Sequence, residues 1–373
     1  MDFQKLVDYM ENVLLKKQGI PACDMKVMRG HETLFRHTCG VMDYEGTKPL
    51  SPDALYYIYS CTKPVTVVAA LQLLERGMIH MDDPVADYLP AYKNAFLLKD
   101  GQKVAPTETM TVRHLFTMSA GLDYNIFKDP IKQASASPKA GTVDIVNSFV
   151  ESPLLFNPGD RFEYSLCLDV LAAVVEVASG MTFYEYLKKN IFDPLGMHDT
   201  GFNIPEADMP RLVAQYESTK EGEIFTYPSR PAYQFTDAYE SGGAGLYSCL
   251  DDYSLFVDAL ACGGVGKNGA RILTQESIDL MRKDQLTGFL KDSEFGRPGY
   301  SYGLGVRTLV DNSLGQRSSI GEFGWDGAAG YYMMADPAKE LSITFAMHVR
   351  AWPYVLPHGH EKLRDLTYDA LGL

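Results

Sequence analysis

Two side chains in the stretch YIYSCTKPVT, residues 57–66, have the types and the spacing that nucleophilic chemistry requires. Ser60 stands three residues before Lys63, where an apolar helical run begins. In a helix, residues three apart lie on one face, one turn from each other. A lysine amine in that position can take the proton from a serine hydroxyl and make the serine a nucleophile. Because about one S-x-x-K match arises by chance in a chain of this length, the pair needs support from the rest of the sequence.

A serine nucleophile needs a base, and the sequence offers two routes to one. The chain has eight histidines, the usual bases, but its serines lie in no G-x-S-x-G nucleophile elbow. Lys63 is the nearest candidate base, although an ordinary lysine pKa of about 10.4 keeps the amine charged at neutral pH unless burial lowers it. The second route is a tyrosine phenolate stabilised by the lysine cation. Tyr164 supplies that tyrosine, since it follows an Asn-Pro-Gly turn and comes just before a helical segment.

The elements that must position these residues follow from the periodicity of the chain. An N-terminal helix and two strands around a turn at residues 29–31 precede a helix predicted from Ser60 to Met78. Short helical segments then alternate with Pro, Gly and Asn turns. Strand patterns return beyond residue 295, and a terminal helix closes the chain.

This order of elements predicts an α/β fold of the α+β type. A mixed, mainly antiparallel sheet flanked by helices would be built from both chain ends, with an inserted all-helical lobe. We expect a discontinuous α/β domain of residues 1–79 and 241–373 and a mainly helical domain of residues 80–240. Active sites commonly lie between two such lobes, and Ser60 stands at their junction.

Composition limits the partners and the compartment. The 373 residues include 34 basic and 48 acidic side chains, and the net charge of -14 argues against nucleic-acid and anionic-membrane partners. The longest apolar run, VTVVAALQLL, is too short to span a bilayer. The N-terminus has the periodicity of an amphipathic helix rather than a signal peptide. We therefore expect a cytoplasmic protein that acts on a small molecule, while its oligomeric state stays open.

No pattern for a metal or an organic cofactor is present in the sequence. The six cysteines are scattered without a C-x-x-C pair, which favours free buried thiols. PHGH at residues 357–360 lacks a third ligand in pattern. The glycine-rich ESGGAGLYS lacks the P-loop lysine, so close packing beneath the site explains it better than phosphate binding.

Several motifs together resemble the serine β-lactamase and penicillin-recognising superfamily, in the class C-like branch that includes family VIII carboxylesterases. SCTK matches its S-x-x-K, YS at residues 164–165 matches its Y-S-N, and GWDG at residues 324–327 falls where its K-T-G, H-x-G or W-G-G triad begins. Four framework blocks agree, in family order: MDDPVADYLP, TVRHLFTMSAGL, DPLGMHDTGF and GGAGLYSCLDDY. The resemblance covers about residues 50–350 and implies the β-lactamase/DD-peptidase fold.

Two departures from the motifs bear on the substrate. Leu166 replaces the asparagine that holds the lactam amide in many relatives, and leucine offers no hydrogen bond. Trp325 replaces the lysine that meets a penicillin carboxylate, and Asp326 follows it. An aromatic ring beside a carboxylate should disfavour an anionic ligand. Both changes resemble the esterase-like members.

The resemblance also implies roles for the site residues. Ser60 would form the acyl-enzyme, with the backbone N–H groups of Ser60 and Ala328 as the oxyanion hole. Gly327 and its small neighbours would let the strand approach the substrate closely. Lys63 would lower the proton affinity of the serine and the tyrosine, and Tyr164 would protonate the leaving alkoxide, although which of the two is the primary base stays open. No cofactor is required.

Three functions are compatible with these residues. A serine esterase on small neutral esters is the leading prediction, and Tyr233 is a candidate for its substrate pocket. A β-lactamase or a D-amino-acid-specific peptidase would use the same chemistry on an amide. A catalytically silent binding module is the third reading, although such a module has no physical need for Ser60, Lys63 and Tyr164 together.

Overall fold

The computed structural model of the chain describes residues 1–228, 230–286, 297–354 and 359–373. Its strands are β1 (Ala22–Arg29), β2 (Glu32–Gly40), β3 (Leu55–Tyr57), β4 (Leu97–Lys99), β5 (Gln102–Val104), β6 (Tyr216–Ser218), β7 (Ile224–Thr226), β8 (Tyr247–Cys249), β9 (Tyr300–Tyr302), β10 (Arg307–Leu309), β11 (Phe323–Asp326), β12 (Tyr332–Asp336), β13 (Leu341–Ala346) and β14 (Val349–Arg350).

The α-helices are distributed along the whole chain. They are α1 (Gln4–Asp8), α2 (Thr62–Glu75), α3 (Val85–Tyr88), α4 (Val112–Phe116), α5 (Asp129–Ala134), α6 (Thr142–Asn147), α7 (Cys167–Ser179), α8 (Phe183–Leu187), α9 (Asp193–Leu195), α10 (Leu250–Ala261), α11 (Gln275–Arg282) and α12 (His360–Leu371). A π-helical stretch, Tyr9–Lys17, continues α1, and a second one, Lys188–Phe192, continues α8. Short 3-10 turns lie at Tyr59–Cys61, Pro90–Asn94, Ser148–Glu151 and Glu206–Arg211.

The central sheet is built from both ends of the chain, as the sequence predicts. Its strand order is β2-β1-β13-β12-β11-β10-β9, and the neighbouring strands pair antiparallel. The ladder between β10 and β11 pairs Arg307 with Gly324 and Thr308 with Phe323. The second half of β11, Trp325 and Asp326, pairs only with β12 among the described residues. After Gly324, the side of β11 that faced β10 has no strand partner among the described residues.

Each face of the sheet has its own apolar layer, because side chains alternate along a strand. On one face, Met25, Ile343 and Phe345 pack with Met10 and other apolar residues of the N-terminal helix and with Leu363 of α12. On the other face, Phe323, Met333 and Ala335 join the larger core that includes α2, α7 and α10. The site is built on this second face.

The region between β3 and β8 is mainly helical, with two short ribbons that the periodicity did not predict. β4 pairs with β5, and β6 pairs with β7 on one side and with β14 on the other. Strands of two or three residues are too short to show alternation. The division into domains of residues 1–79 with 241–373 and of residues 80–240 stays a prediction.

Helices α2 and α7 form the centre of the larger core. Residues Thr62–Leu73 of α2 and Cys167–Val175 of α7 are buried all round, and both segments are mainly apolar. Across the described ranges, no single helix has the length and apolarity needed to cross a bilayer. One bent pair, Cys167–Ser179 with Phe183–Leu195, meets that requirement by length and composition alone.

Candidate active site

Ser60 lies in the tight turn that joins β3 to α2. The preceding residue, Tyr59, has a φ of +47°, in the left-handed region that a bulky residue rarely adopts. The side chain of Tyr59 is buried, and its hydroxyl donates to Oε1 of Gln215, so the surrounding structure fixes this strained turn. Ser60 itself is only 8% exposed. As predicted, it stands where the helix begins.

Lys63 is on the first turn of α2, below Ser60 and completely buried. Its Nζ donates to Oγ of Ser60 at 3.2 Å, to the hydroxyl of Tyr124 at 3.3 Å and to the carbonyl oxygen of Gly243 at 2.7 Å. Burial lowers the pKa of Lys63 from 10.5 to about 7, against an opposing contribution from the carboxylate of Asp169. At neutral pH, a large share of this amine is therefore uncharged and can act as a base.

Tyr164 approaches Ser60 from the loop before α7. Its hydroxyl donates to Oγ of Ser60 at 2.8 Å. The ring is stacked between Tyr124, at 5.2 Å between centroids, and Trp325, at 5.7 Å. Burial raises the pKa of Tyr164, so its hydroxyl keeps its proton at neutral pH. Ser60, Lys63 and Tyr164, which the sequence singles out, are thus brought within hydrogen-bonding distance.

Tyr124 is a site residue that the sequence analysis did not identify. Its hydroxyl accepts a hydrogen bond from Lys63, and its ring faces Tyr164 with an interplanar angle of 8°. Tyr233, which was predicted to line the pocket, lies edge-on to Tyr124 at 5.6 Å and edge-on to Tyr59 at 6.3 Å. The side chains of these tyrosines form an aromatic wall beside Ser60.

The glycine-rich segment packs beneath the site, as predicted. A Cβ atom on Gly242 would lie 2.4 Å from the carbonyl oxygen of Leu168, and one on Gly243 would lie 2.4 Å from Oδ2 of Asp169. Oδ1 of Asp169 accepts hydrogen bonds from the hydroxyl of Ser241 at 2.5 Å and from the N–H of Gly243 at 3.3 Å. This buried carboxylate fixes the loop whose Gly243 carbonyl holds Lys63.

The carboxylate of Asp326, a predicted substrate contact, is engaged within the protein, and its contact with a substrate stays a prediction. Its carboxylate is buried and accepts hydrogen bonds from Arg297 at 3.1 Å, Arg307 at 2.7 Å and His360 at 2.6 Å. The cationic neighbours hold its pKa well below the usual range, against the cost of burial. Because side chains alternate along β11, Trp325 faces the site and Asp326 faces away. Asp326 therefore presents no charge to a ligand.

Leu166, another predicted substrate contact, is packed in the core, and its contact with a substrate stays a prediction. It is buried, and it lines a small pocket with Leu122, Ile131 and Phe149. It is the N-cap residue of α7. Trp325, in contrast, stacks on Tyr164, and its Nε1 donates to the tyrosine hydroxyl at 3.4 Å.

The turn after β11 lies directly against the turn that carries Ser60. A Cβ atom on Gly327 would lie 2.4 Å from the carbonyl oxygen of Ile58, so only glycine permits this approach. Ala328 follows and is exposed. Within the described residues, neither the N–H of Ala328 nor that of Ser60 donates to a protein acceptor. Both donors are available to a ligand, as a predicted oxyanion hole requires.

A possible metal-binding group lies outside this site. Among the described residues, His31 of the β1–β2 turn, Asp258 of α10 and Cys262 just after α10 have potential ligand atoms within 4.8 Å of one another. Nδ1 of His31 and Oδ2 of Asp258 are 2.7 Å apart and form an ion pair or hydrogen bond of their own. Of the histidines in PHGH, His358 is outside the described residues and His360 binds Asp326. The expectation of a metal-free site stays a prediction.

Known proteins resemble this chain over most of its length. The Beta-lactamase family model matches residues 4–361. Esterase EstB of Burkholderia gladioli is 30% identical over 363 residues, covering 90% of this chain and 88% of EstB. Protein Rv1367c of Mycobacterium tuberculosis is 30% identical over 364 residues, covering 90% of each chain. The solved structure of EstCE1, described as a hydrolase with promiscuous acyltransferase activity, has a TM-score of 0.82 at 25% identity, covering 98% of both chains.

The family predicted from the motifs is thereby confirmed, because the family match extends over nearly the whole chain and the relatives align over nine-tenths of it. The fold class is confirmed by the antiparallel sheet, its flanking helices and the agreement with solved structures. This chain belongs to the β-lactamase family, in its esterase-like branch, and is a serine hydrolase.

Proposed function

We propose that the protein hydrolyses small neutral carboxylic esters through an acyl-enzyme on Ser60. One observation carries the proposal: Oγ of Ser60 lies 3.2 Å from the amine of Lys63 and 2.8 Å from the hydroxyl of Tyr164. A nucleophile with a base on one side and an acid on the other is the arrangement that acyl transfer requires.

Acylation begins with the uncharged fraction of Lys63. In that form, the amine keeps two N–H donors for Gly243 and Tyr124, and its lone pair accepts the proton of Ser60. Oγ then forms a bond to the ester carbonyl carbon. The developing oxyanion is stabilised by the N–H groups of Ser60 and Ala328. Lys63 is favoured as the base because the raised pKa of Tyr164 keeps the phenol protonated.

Tyr164 completes both halves of the reaction. Its hydroxyl gives its proton to the alkoxide as the ester C–O bond breaks, and the proton on Lys63 then returns to the phenolate oxygen. In the second half, a water molecule attacks the acyl carbon and gives a proton to Lys63, the same base. Oγ of Ser60 then leaves with a proton. The products are the carboxylic acid, the alcohol and the original enzyme.

Neutral esters are the favoured substrates because of what surrounds the serine. Trp325 stands where penicillin-recognising relatives carry a lysine, and it supplies an aromatic surface instead of a cation. Leu166 offers no amide group to hold a lactam and is occupied in the core. The relatives named as an esterase and as a hydrolase support the same substrate class.

Hydrolysis of a β-lactam or of a D-amino-acid peptide is the second candidate, because a relative named a putative D-alanyl-D-alanine carboxypeptidase aligns with 87% of the chain. The test compares turnover of p-nitrophenyl butyrate with turnover of nitrocefin by the parent protein and by Ser60→Ala. We expect faster turnover of the ester and loss of that turnover in the variant. Faster turnover of nitrocefin would reverse the order of the two candidates.

The acidic net charge of -14 supports a small-molecule hydrolase without nucleic-acid or membrane partners, in the cytoplasm. A filter-binding assay with DNA and RNA at low salt, together with sedimentation of anionic vesicles, tests this part. We expect binding to neither surface, and binding at physiological salt would contradict the expectation.

A further inference from the structure

His360, the first residue of α12, contacts the turn that follows β11. His360 is completely buried. Its Nδ1 lies 2.6 Å from Oδ1 of Asp326, and its Nε2 lies 3.1 Å from the carbonyl oxygen of Gly330. Asp326 immediately precedes the turn, and Gly330 is its last residue. One imidazole ring therefore joins both ends of the segment that presents Ala328.

Both partners of this ring are acceptors, so both ring nitrogens must donate. A neutral imidazole has one N–H, whereas the doubly protonated form has two. Asp326 also binds Arg297 and Arg307, so its carboxylate is ionised and accepts the hydrogen bond of Nδ1. Tyr332 is stacked on the imidazole at 4.5 Å between centroids, which fixes the plane of the ring.

The turn that His360 contacts is tight, and the carbonyl oxygens of Ala328 and Ala329 in it also accept hydrogen bonds from the N–H groups of Ala351 at 3.4 Å and Val349 at 3.1 Å. The N–H of Gly330 donates to the carbonyl oxygen of Gly327 at 2.8 Å. The N–H of Gly327 donates to the carbonyl oxygen of Tyr331 at 2.7 Å. Gly330 has a φ of +86°. The carbonyl of Gly330 could rotate by a peptide flip, and Ala328 would then move, because both belong to one four-residue turn.

We propose that His360 is a positioning residue for the oxyanion-binding turn, acting through its hydrogen bond to the carbonyl oxygen of Gly330. This inference rests on the proposed function, since it assumes that the N–H of Ala328 stabilises the oxyanion. The bond fixes the orientation of the peptide at Gly330, and hence the direction of the Ala328 N–H. Misdirected donors stabilise the transition state less, with little effect on the binding of the ground-state ester.

Two substitutions separate the two bonds of the ring. In His360→Asn, the amide nitrogen occupies the place of Nδ1, so the bond to Asp326 is kept and the bond to Gly330 is lost. In His360→Gln, the amide nitrogen reaches the place of Nε2, so the bond to Gly330 is kept, while Asp326 retains Arg297 and Arg307. Steady-state hydrolysis of p-nitrophenyl butyrate is measured for both variants and the parent, well below their unfolding temperatures.

We expect kcat to fall about tenfold or more in His360→Asn and to stay within about threefold in His360→Gln, with KM changed less than about twofold in both. An unchanged kcat in His360→Asn, or equal losses in the two variants, would overturn the proposal. Thr367→Ala lies on the same helix, and among the described residues the hydroxyl of Thr367 bonds only to the carbonyl oxygen of Leu363. It controls for general destabilisation of α12 and should keep the parental kcat.

Ser60→Ala is assayed beside these variants, which separates the two proposals. Turnover that survives in Ser60→Ala would remove the proposed function, whereas loss there with an unchanged His360→Asn would remove only this inference. If a variant at position 360 does not fold, nitrogen-15 NMR of the histidines in the parent protein decides. We expect a proton on Nε2 of His360, because the bond to Gly330 requires a donor there, and an Nε2 without a proton would contradict the proposed bond.

Discussion

Nζ of Lys63 lies closer to the carbonyl oxygen of Gly243, at 2.7 Å, than to Oγ of the serine that it serves, at 3.2 Å. A neutral amine can satisfy that carbonyl with one N–H and still direct its lone pair at Ser60. Gly243 is in turn fixed by Asp169. The orientation of the candidate base therefore depends on a loop that is distant from Lys63 in sequence.

Gly243→Ala tests this dependence. The new Cβ would lie 2.4 Å from Oδ2 of Asp169, so the loop must shift. We expect the free energy of unfolding to fall by about 1–3 kcal/mol and kcat to fall with it. Urea denaturation and ester turnover measure the two effects. Gly141→Ala is the control, because its Cβ would meet no atom nearer than 3.9 Å; a Gly243→Ala protein that behaves like the control would refute the role of the loop.

The pH dependence of ester hydrolysis should report the ionisation of Lys63. Its pKa of about 7 means that the base is inactivated by protonation below that pH and is available above it. We expect kcat/KM to rise with pH through about 7 and then to level off. A profile recorded with a neutral ester from about pH 5 to about pH 9 checks this. Activity that is constant across that range would exclude Lys63 as the base.

Lys63 should also make the stability of the protein depend on pH. The pKa is about 7 in the folded state and about 10.5 in the unfolded state, so between those values the unfolded chain binds more protons. Stability contributed by this group therefore rises as the pH rises through that window.

The substitution Lys63→Met removes the buried amine, and with it the free-energy cost of burying a group that is charged in the unfolded chain. We expect an inactive protein whose free energy of unfolding at pH 7 is higher than that of the parent by about 1–3 kcal/mol. Urea titrations at neutral and alkaline pH measure both quantities. A variant that is less stable than the parent at pH 7 would show that the hydrogen bonds of the amine outweigh its desolvation.

Asp326 should be needed for stability rather than for binding the ester. Asp326→Asn leaves the buried guanidinium of Arg307 and the half-buried one of Arg297 without their counter-charge, which is expected to cost about 3–5 kcal/mol of unfolding free energy. The exposed pair of Asp193 with Lys188 offers a matched control, Asp193→Asn, which should leave the unfolding transition unchanged. A change in KM without a change in stability would support Asp326 as a substrate contact.

Contacts between site residues that are close in sequence can be predicted from the sequence, whereas contacts made by distant loops cannot. Helical spacing alone places Lys63 beneath Ser60, and the motifs place Tyr164 beside them. The orientation of Asp326 could also have been derived, since strand alternation turns it away once Trp325 faces the site. Tyr124 and Gly243 contact Lys63 from loops whose paths depend on tertiary packing, so no local sequence pattern predicts these contacts.

The fold shows the same division between local and distant information. Long segments such as α7 and β13 have clear apolar patterns, and their types are predictable. The ribbon of β6, β7 and β14 joins residues more than a hundred positions apart through strands of two or three residues. Such pairing is decided by the surrounding packing rather than by local propensity.

The most direct measurement is the mass of the protein after reaction with a fluorophosphonate, followed by peptide mapping. The account predicts one covalent adduct, located on Ser60, with labelling that slows sharply in Lys63→Met while that variant remains folded. A protein that stays unlabelled, or an adduct on another residue, would contradict the assignment of Ser60 as the nucleophile.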